Sequence, residues 1–221
     1  MPILFRCDAS LEIANGHVMR CLSLAEQLRV SGEECLFICR ELEGHLIHYI
    51  KAKGFQVEVM AQAVNDKNLS LKSPSYSNWL GVPIEEEIEQ VKEIIKNIEN
   101  VTWLIVDSYS LAESWEKSMR ALVDQIMVID DLADRNHACD LLLDQTFGRQ
   151  EEEYTDLLNS NHVMTLCGAE YSLLRPDFFE YRSLSISRRQ NYSKINTILI
   201  AMGGVDRSNL SGEILTCLSK I

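Results

Sequence analysis

Short, unbroken apolar runs alternate with longer amphipathic stretches from Ile3 to Cys167, and no other feature constrains the fold as strongly. The runs are Ile3–Cys7, Cys35–Cys39, Phe55–Met60, Trp103–Val106 ending at Asp107, Ile126–Ile129, Leu141–Leu143 and Val163–Cys167. Each has strand length, and apart from Phe55–Met60, which Gln56 and Glu58 interrupt, each is apolar at nearly every position, so both faces must be covered. Between them, Val18, Cys21, Leu22, Ala25 and Leu28 recur at helical spacing, Leu42–Lys51 reads as helical, and a helix is predicted around Leu111–Val123. Pro83–Ile98 is the clearest helix. Pro83 suits its first turn, Glu85–Glu87 complement the positive helix end, and Ile84, Ile88, Val91, Ile95 and Ile98 line one face. Strands alternating with helices predict an α/β fold, a parallel sheet with helices on both faces.

With 221 residues, the chain has room for one large domain or one and a half. Ala61–Gly81 has no periodicity, which is long for a structureless loop and points to a functional or mobile segment. Residues 1–183 form the first unit. The polar, basic stretch Ser183–Lys194 lacks periodicity and reads as a linker over 184–193. A new strand is predicted at Ile195–Ala201, then a turn at Met202–Gly204 and a helix from Asn209 to Ile221. One strand and one helix make no independent domain. Residues 194–221 are therefore expected to be the truncated start of a second α/β domain. Its unpartnered strand and helix are expected to favour self-association between chains.

The net charge of −12 disfavours a general nucleic-acid or anionic-membrane binder, and an anionic small molecule needs a locally positive pocket. No apolar run reaches 18 residues, so no membrane span is expected, and Met1 leads straight into a strand without a signal-peptide pattern. The seven cysteines include no CxxC pair and are odd in number; they read as reduced core thiols of a cytoplasmic protein.

Chemistry concentrates where strands end. In Arg6–Arg20 (RCDASLEIANGHVMR) a strand runs into a short loop, and the loop into a helix at Gly16. Parallel sheets bind ligands at the C-terminal ends of their strands. His17 stands at the helix start, beside unpaired N–H groups that favour neutral imidazole, the form of a general base. Arg20 lies one turn on, shares its face and is able to attract phosphate. The alternative is a surface histidine followed by a solvated arginine. Asp107-Ser108-Tyr109, Asp130-Asp131 and Gly168–Tyr171, the last leading to Leu174-Arg175-Pro176, follow other strand ends. Asp107 also suits a helix N-cap, and Arg175 a structural ion pair. Asp130, Asp131, Asp134, His137, Cys139 and Asp140 mix hard and soft donors on irregular spacing, so no metal is expected. The His17 segment is not GxGxxG, and no nicotinamide or other cofactor is expected.

Taken in order, Phe5–Ser10 (FRCDAS), Gly16–Arg20 (GHVMR), Val106–Tyr109 (VDSY), Ile129–Asp131, Cys139–Asp144 (CDLLLD), Gly168–Phe178 and Met202–Asp206 (MGGVD) resemble the UDP-sugar hydrolases of pseudaminic acid biosynthesis and related spore-coat polysaccharide proteins. The resemblance implies a glycosyltransferase-B architecture, two Rossmann-like domains with the active site in the cleft between them. It implies UDP release from a UDP-diacetamido-trideoxyhexose by metal-independent attack of water, with inversion. The base falls on His17 and an active-site tyrosine on Tyr109. Asp8, Asn15, Gly16, Arg20, Asp107, Tyr171 and Arg175 become candidate substrate contacts, and Gly203, Gly204 and Asp206 candidate nucleotide contacts. Ala14 departs from a glycine common in the family, and Ser108 from a histidine found in some members. A glycosyltransferase of the same architecture and a non-catalytic binding protein are the alternatives.

Overall fold

The computed structural model describes residues 1–61, 76–158, 160, 162–190, 194–195, 197–203, 206 and 208–220. Most of the aperiodic 61–81 segment lies outside these residues, as does Gly204.

The elements run β1 (Ile3–Cys7), α1 (Gly16–Val30), β2 (Cys35–Arg40), α2 (Ile47–Ala52), β3 (Gln56–Met60), α3 (Ile84–Lys96), β4 (Trp103–Asp107), α4 (Glu113–Met119), β5 (Gln125–Ile129), β6 (Leu141–Asp144), β7 (Met164–Cys167), α5 (Pro176–Gln190) and α6 (Leu210–Leu218). The seven strands form one sheet in the order β3-β2-β1-β4-β5-β6-β7, and every pairing is parallel. This is the Rossmann-like α/β fold that the alternation of runs predicts. Pro83 differs slightly from expectation: it occupies the N-cap of α3 rather than its first turn.

Side chains alternate across each strand and feed two cores. Leu4, Ile38, Leu104, Val106, Ile126 and Leu142 face α3 and α4, where Val91, Ile95, Trp115 and Met119 pack. Phe5, Cys7, Phe37, Cys39, Ile105 and Leu143 face α1 and α2, meeting Val18, Cys21, Ala25, Ile47 and Ile50. All seven cysteines are free; six are buried and Cys217 is exposed.

The order reverses between β1 and β4: from β1 the chain builds outward through β2 and β3, then crosses back to β4. Neighbouring loops diverge at such a switch point, and the crevice they leave is where open α/β sheets bind ligands. The last rung of this pairing sets Cys7 opposite Asp107. The loop leading to His17 and the turn carrying Tyr109 therefore leave the sheet side by side.

Two expectations beyond Cys167 are corrected. The stretch read as a linker continues a helix: α5 runs to Gln190, with no buried residue. Pro176 and Asp177 open it and Arg188 and Arg189 close it, in keeping with the helix dipole, and its apolar side chains Phe178, Phe179, Tyr181, Leu184 and Ile186 are exposed. The strand expected at Ile195–Ala201 is not formed: Ile195 and residues 197–201 have no ladder partner, and Ile195, Ile198 and Leu199 are exposed. A strand needs a neighbour to take its backbone hydrogen bonds, and no described segment offers one. The helix beyond forms as α6, over Leu210–Leu218 within the expected Asn209–Ile221.

Candidate active site

α1 begins at Gly16 with Asn15 at its N-cap, and the Asn15 side chain makes no cap hydrogen bond. The preceding loop is tight. Ala14 donates its N–H to the Ser10 carbonyl at 2.8 Å, and Ser10 Oγ accepts the N–H groups of Glu12 and Ile13 at 3.0 Å each. Ala14 pays for this with φ of 64°, the left-handed region that glycine occupies freely. The loop turns the next residue inward, and His17 is only 6% exposed.

His17 Nδ1 lies 2.5 Å from Asp107 Oδ1. An ionised carboxylate only accepts, so Nδ1 carries a proton, and whenever the ring is neutral the lone pair is on Nε2. No described side chain bonds Nε2. The positive surroundings expected of a helix start are thus only part of the environment, because the group touching the ring is a carboxylate. Arg20 clamps that carboxylate from one turn along α1: Nε donates to Oδ2 and Nη2 to Oδ1, both at 2.6 Å. Its Nη1 donates to Asp131 Oδ2 at 2.9 Å. Burial pushes the Asp107 carboxyl up, but the charges and hydrogen bonds of His17 and Arg20 outweigh it and hold the group well below the usual carboxylate range. Asp107 is therefore not the helix cap that its residue type allows.

Tyr109 stands against the histidine, its ring centroid 4.6 Å away and nearly perpendicular. Burial and the neighbouring Asp131 carboxylate push its hydroxyl pKa up. Trp79 and Tyr76 complete an aromatic wall, 5.7 and 5.1 Å from Tyr109 between centroids. Arg135 ties down the turn that bears Tyr109, donating to the carbonyls of Leu111 at 3.0 Å and Ser108 at 3.2 Å.

The structure thus gathers His17, Arg20, Asp107 and Tyr109. It does not bring the remaining candidates onto them. Asp8 is buried, pairing with Arg6 at 2.7 Å and accepting the Arg40 N–H at 2.7 Å. Asn15 and Gly16 are exposed at the head of α1. Tyr171 and Leu173 border an apolar groove of about 380 Å³ on the sheet face, with Leu24, Trp103 and Met127. Arg175 lies 4.0 Å from Asp177 at the start of α5. Gly203 is exposed, with φ of 78°. Asp206 accepts the N–H groups of Leu210 and Ser211 at 2.9 Å, capping α6. Asp206 and Leu210 also share a cavity of about 420 Å³ with Leu11, Glu12 and Ala14 of the β1–α1 loop.

Sequence reading missed Tyr76, Trp79, Asp131 and Arg135 as parts of the site. The aromatic pair at i, i+3 inside a polar, aperiodic stretch was a usable signal. Asp131 stands in the strand-end pair Asp130-Asp131 and in the Ile129–Asp131 motif without a role assigned to it, and Arg135 is not singled out. Among the described residues, no group of three or more His, Cys, Asp or Glu is placed to hold a metal.

No family model matches the chain. The chain is 28% identical over 221 residues to the UDP-2,4-diacetamido-2,4,6-trideoxy-beta-L-altropyranose hydrolase of Campylobacter jejuni, covering all of this chain and 66% of that protein. It is 27% identical over 218 residues to an uncharacterized protein of Methanocaldococcus jannaschii, covering 97% of this chain and 39% of that protein. The chain therefore spans less than two thirds of the length of either relative. No helix among the described residues is long and apolar enough to cross a membrane.

Proposed function

We propose that this chain carries the base-bearing wall of a UDP-sugar hydrolase, acting on a UDP-diacetamido-trideoxyhexose as in pseudaminic acid biosynthesis. The observation that carries the reading is His17: its Nδ1 is held by Asp107 at 2.5 Å, and its Nε2 is left unbonded beside Tyr109 at the switch point of the sheet. Similarity to the Campylobacter hydrolase supports the substrate class.

In this reading, water attacks the anomeric carbon as the bond to the diphosphate oxygen breaks. One water proton passes to His17 Nε2, the hydroxyl stays on the sugar with inverted configuration, and UDP departs with the bonding electron pair. A positioned general base contributes about 10²–10⁴-fold. Asp107 keeps the ring in the tautomer and orientation the step needs, as the carboxylate does in other histidine–carboxylate pairs. Tyr109 shares the water or the sugar with His17, and the aromatic wall suits the methyl groups of acetamido and 6-deoxy positions. No step runs through a metal.

Arg20, once a candidate phosphate ligand, has carboxylates on Nε, Nη1 and Nη2. Arg135 and Arg149 are likewise paired, with Asp130 and Asp144. This wall therefore holds the water and the sugar, and the leaving diphosphate takes its donors from elsewhere, the Gly203-Gly204 turn and Asp206 segment of a second Rossmann-like unit being the proposed source.

The test is incubation of the complete gene product with UDP-diacetamido-trideoxyhexoses of differing stereochemistry while UDP release is followed. One of them should be hydrolysed, with excess chelator present and absent. Absence of UDP release from all of them removes the reading.

A further inference from the structure

Behind the His17 site lies a buried polar group that the mechanism leaves unused. Asp130 follows β5 and Asp144 ends β6, and these strands pair side by side, so two carboxylates converge with neither exposed. Tyr154, also fully buried, places its hydroxyl between them. It lies 2.9 Å from Asp130 Oδ2 and 2.8 Å from Asp144 Oδ2. A phenol has one proton to give, so the two acceptors share it. Each carboxylate also holds an arginine. Arg149 Nε donates to Asp144 Oδ2 at 2.5 Å. Arg135 Nη1 lies 2.8 Å from Asp130 Oδ1, a charge contact rather than an aligned hydrogen bond.

Both arginines reach on to the backbone of the site. Arg135 spans the turn that bears Tyr109, donating to the Leu111 and Ser108 carbonyls at 3.0 and 3.2 Å. Arg149 Nη2 donates to the Asp131 carbonyl at 2.9 Å. Asp131 Oδ2 in turn takes Arg20, which clamps Asp107 against His17. Arg149 is fixed a second time by Glu153 Oε2 at 2.5 Å, from the same short turn as Tyr154. Two arms therefore leave one hydroxyl. One ends on the turn of Tyr109, and the other runs to His17.

We propose that Tyr154 is a positioning residue, whose hydroxyl holds Asp130 and Asp144 together so that Arg135 and Arg149 set the Tyr109 turn and the Asp131 loop around His17. Like charges repel strongly where water is excluded, and the shared proton is what lets the two carboxylates stand side by side. Without it they part, or one of them takes up a proton. Either change loosens the arginine that the carboxylate holds, and with it one wall of the site. A misplacement of about 1 Å caused far from the chemistry can cost about 10²-fold in rate. The part in catalysis rests on the hydrolase reading; the frame around Tyr109 does not.

The experiment is ¹⁹F NMR of the complete gene product labelled with 3-fluorotyrosine, with Tyr109→Phe to assign the signal. Tyr154→Phe keeps the ring in the core and removes only the hydroxyl. In that variant the Tyr109 signal should shift or split, while exposed Tyr49 and Tyr181 keep theirs. UDP release should fall about 10-fold in kcat with KM within about twofold, the signature of an interaction felt in the transition state. Should Tyr154→Phe fail to fold, Arg149→Lys takes its place, because a lysine keeps the charge but cannot span Asp144, Glu153 and the Asp131 carbonyl at once. A Tyr109 signal unmoved in the folded variant overturns the frame. Parent-like kcat in folded Tyr154→Phe overturns its part in catalysis, since a purely structural tyrosine would alter stability alone. A moved Tyr109 signal in a protein whose parent hydrolyses no UDP-sugar upholds the frame and removes the hydrolase reading instead.

Discussion

Two histidines of this chain are buried, and both hold a carboxylate through Nδ1: His17 with Asp107 at 2.5 Å and His137 with Glu116 at 2.7 Å. They differ in where the rest of the ring goes. His17 lies at the C-terminal sheet edge, with Nε2 unbonded among the described side chains and two aromatic rings facing it. His137 is sealed. Its backbone N–H donates to the Leu157 carbonyl at 2.9 Å, Glu116 also accepts the Ala138 N–H, and its Nε2 is buried 3.9 Å from Asp130. A histidine–carboxylate pair is thus the proposed base in one place and a buried strut in the other. What separates them is access at the switch point of the sheet.

Substitution of the two histidines should separate these roles most sharply. His17→Asn is expected to lower turnover by at least ~10²-fold with KM little changed, and His137→Asn to leave turnover per folded molecule within about twofold. Steady-state kinetics on both variants decide it, and equal losses of turnover would erase the distinction drawn here.

Asp107→Asn should cost about 10²-fold in turnover, since the amide can stabilise the wrong tautomer. It should also change the acid stability. The Asp107 pKa is depressed in the folded protein, so its stabilising contribution is present above the unfolded value near 4 and is lost as pH falls toward the folded one. The stability gap between parent and Asp107→Asn, measured by urea melts, should therefore narrow from pH 5 to pH 3. A gap that widens over that range contradicts the ion-pair geometry.

Glu116→Gln acts on the sealed pair. It should cost about 1–3 kcal/mol of stability, the range for disturbing a buried polar bond, with kcat of the folded protein retained. Thermal melts and kinetics together test it. Ala14→Gly should have the smallest effect, a gain of up to about 1 kcal/mol from relief of the left-handed backbone at φ 64°. Destabilisation there would mean that the loop before His17 is held by the alanine methyl.

The strand-length runs were sufficient to place all seven strands, because burial on both sheet faces leaves a continuous apolar signature in the central ones, β1, β2 and β4, while the outer β3 and β7 are only partly buried. His17 and Tyr109 were legible for the same reason: strand ends announce the edge where ligands collect. Residues 184–190 of α5 read as linker because that stretch is polar and aperiodic, and a helix end held by its own backbone bonds needs no apolar stripe. The strand expected at Ile195–Ala201 failed in the opposite sense, since its composition is apolar but a ladder requires a second segment alongside. Asp107 shows most plainly what tertiary structure alone decided. From its neighbours in sequence it is as good a helix cap as a histidine partner, and only the pairing of β4 with β1 sets it against the first turn of α1. Asp131, Arg135, Tyr76 and Trp79 join it from segments far apart along the chain. Apolar periodicity is a property of one element at a time and survives in sequence; a convergence of side chains from several loops is a property of the sheet order, and exists only once the sheet has formed.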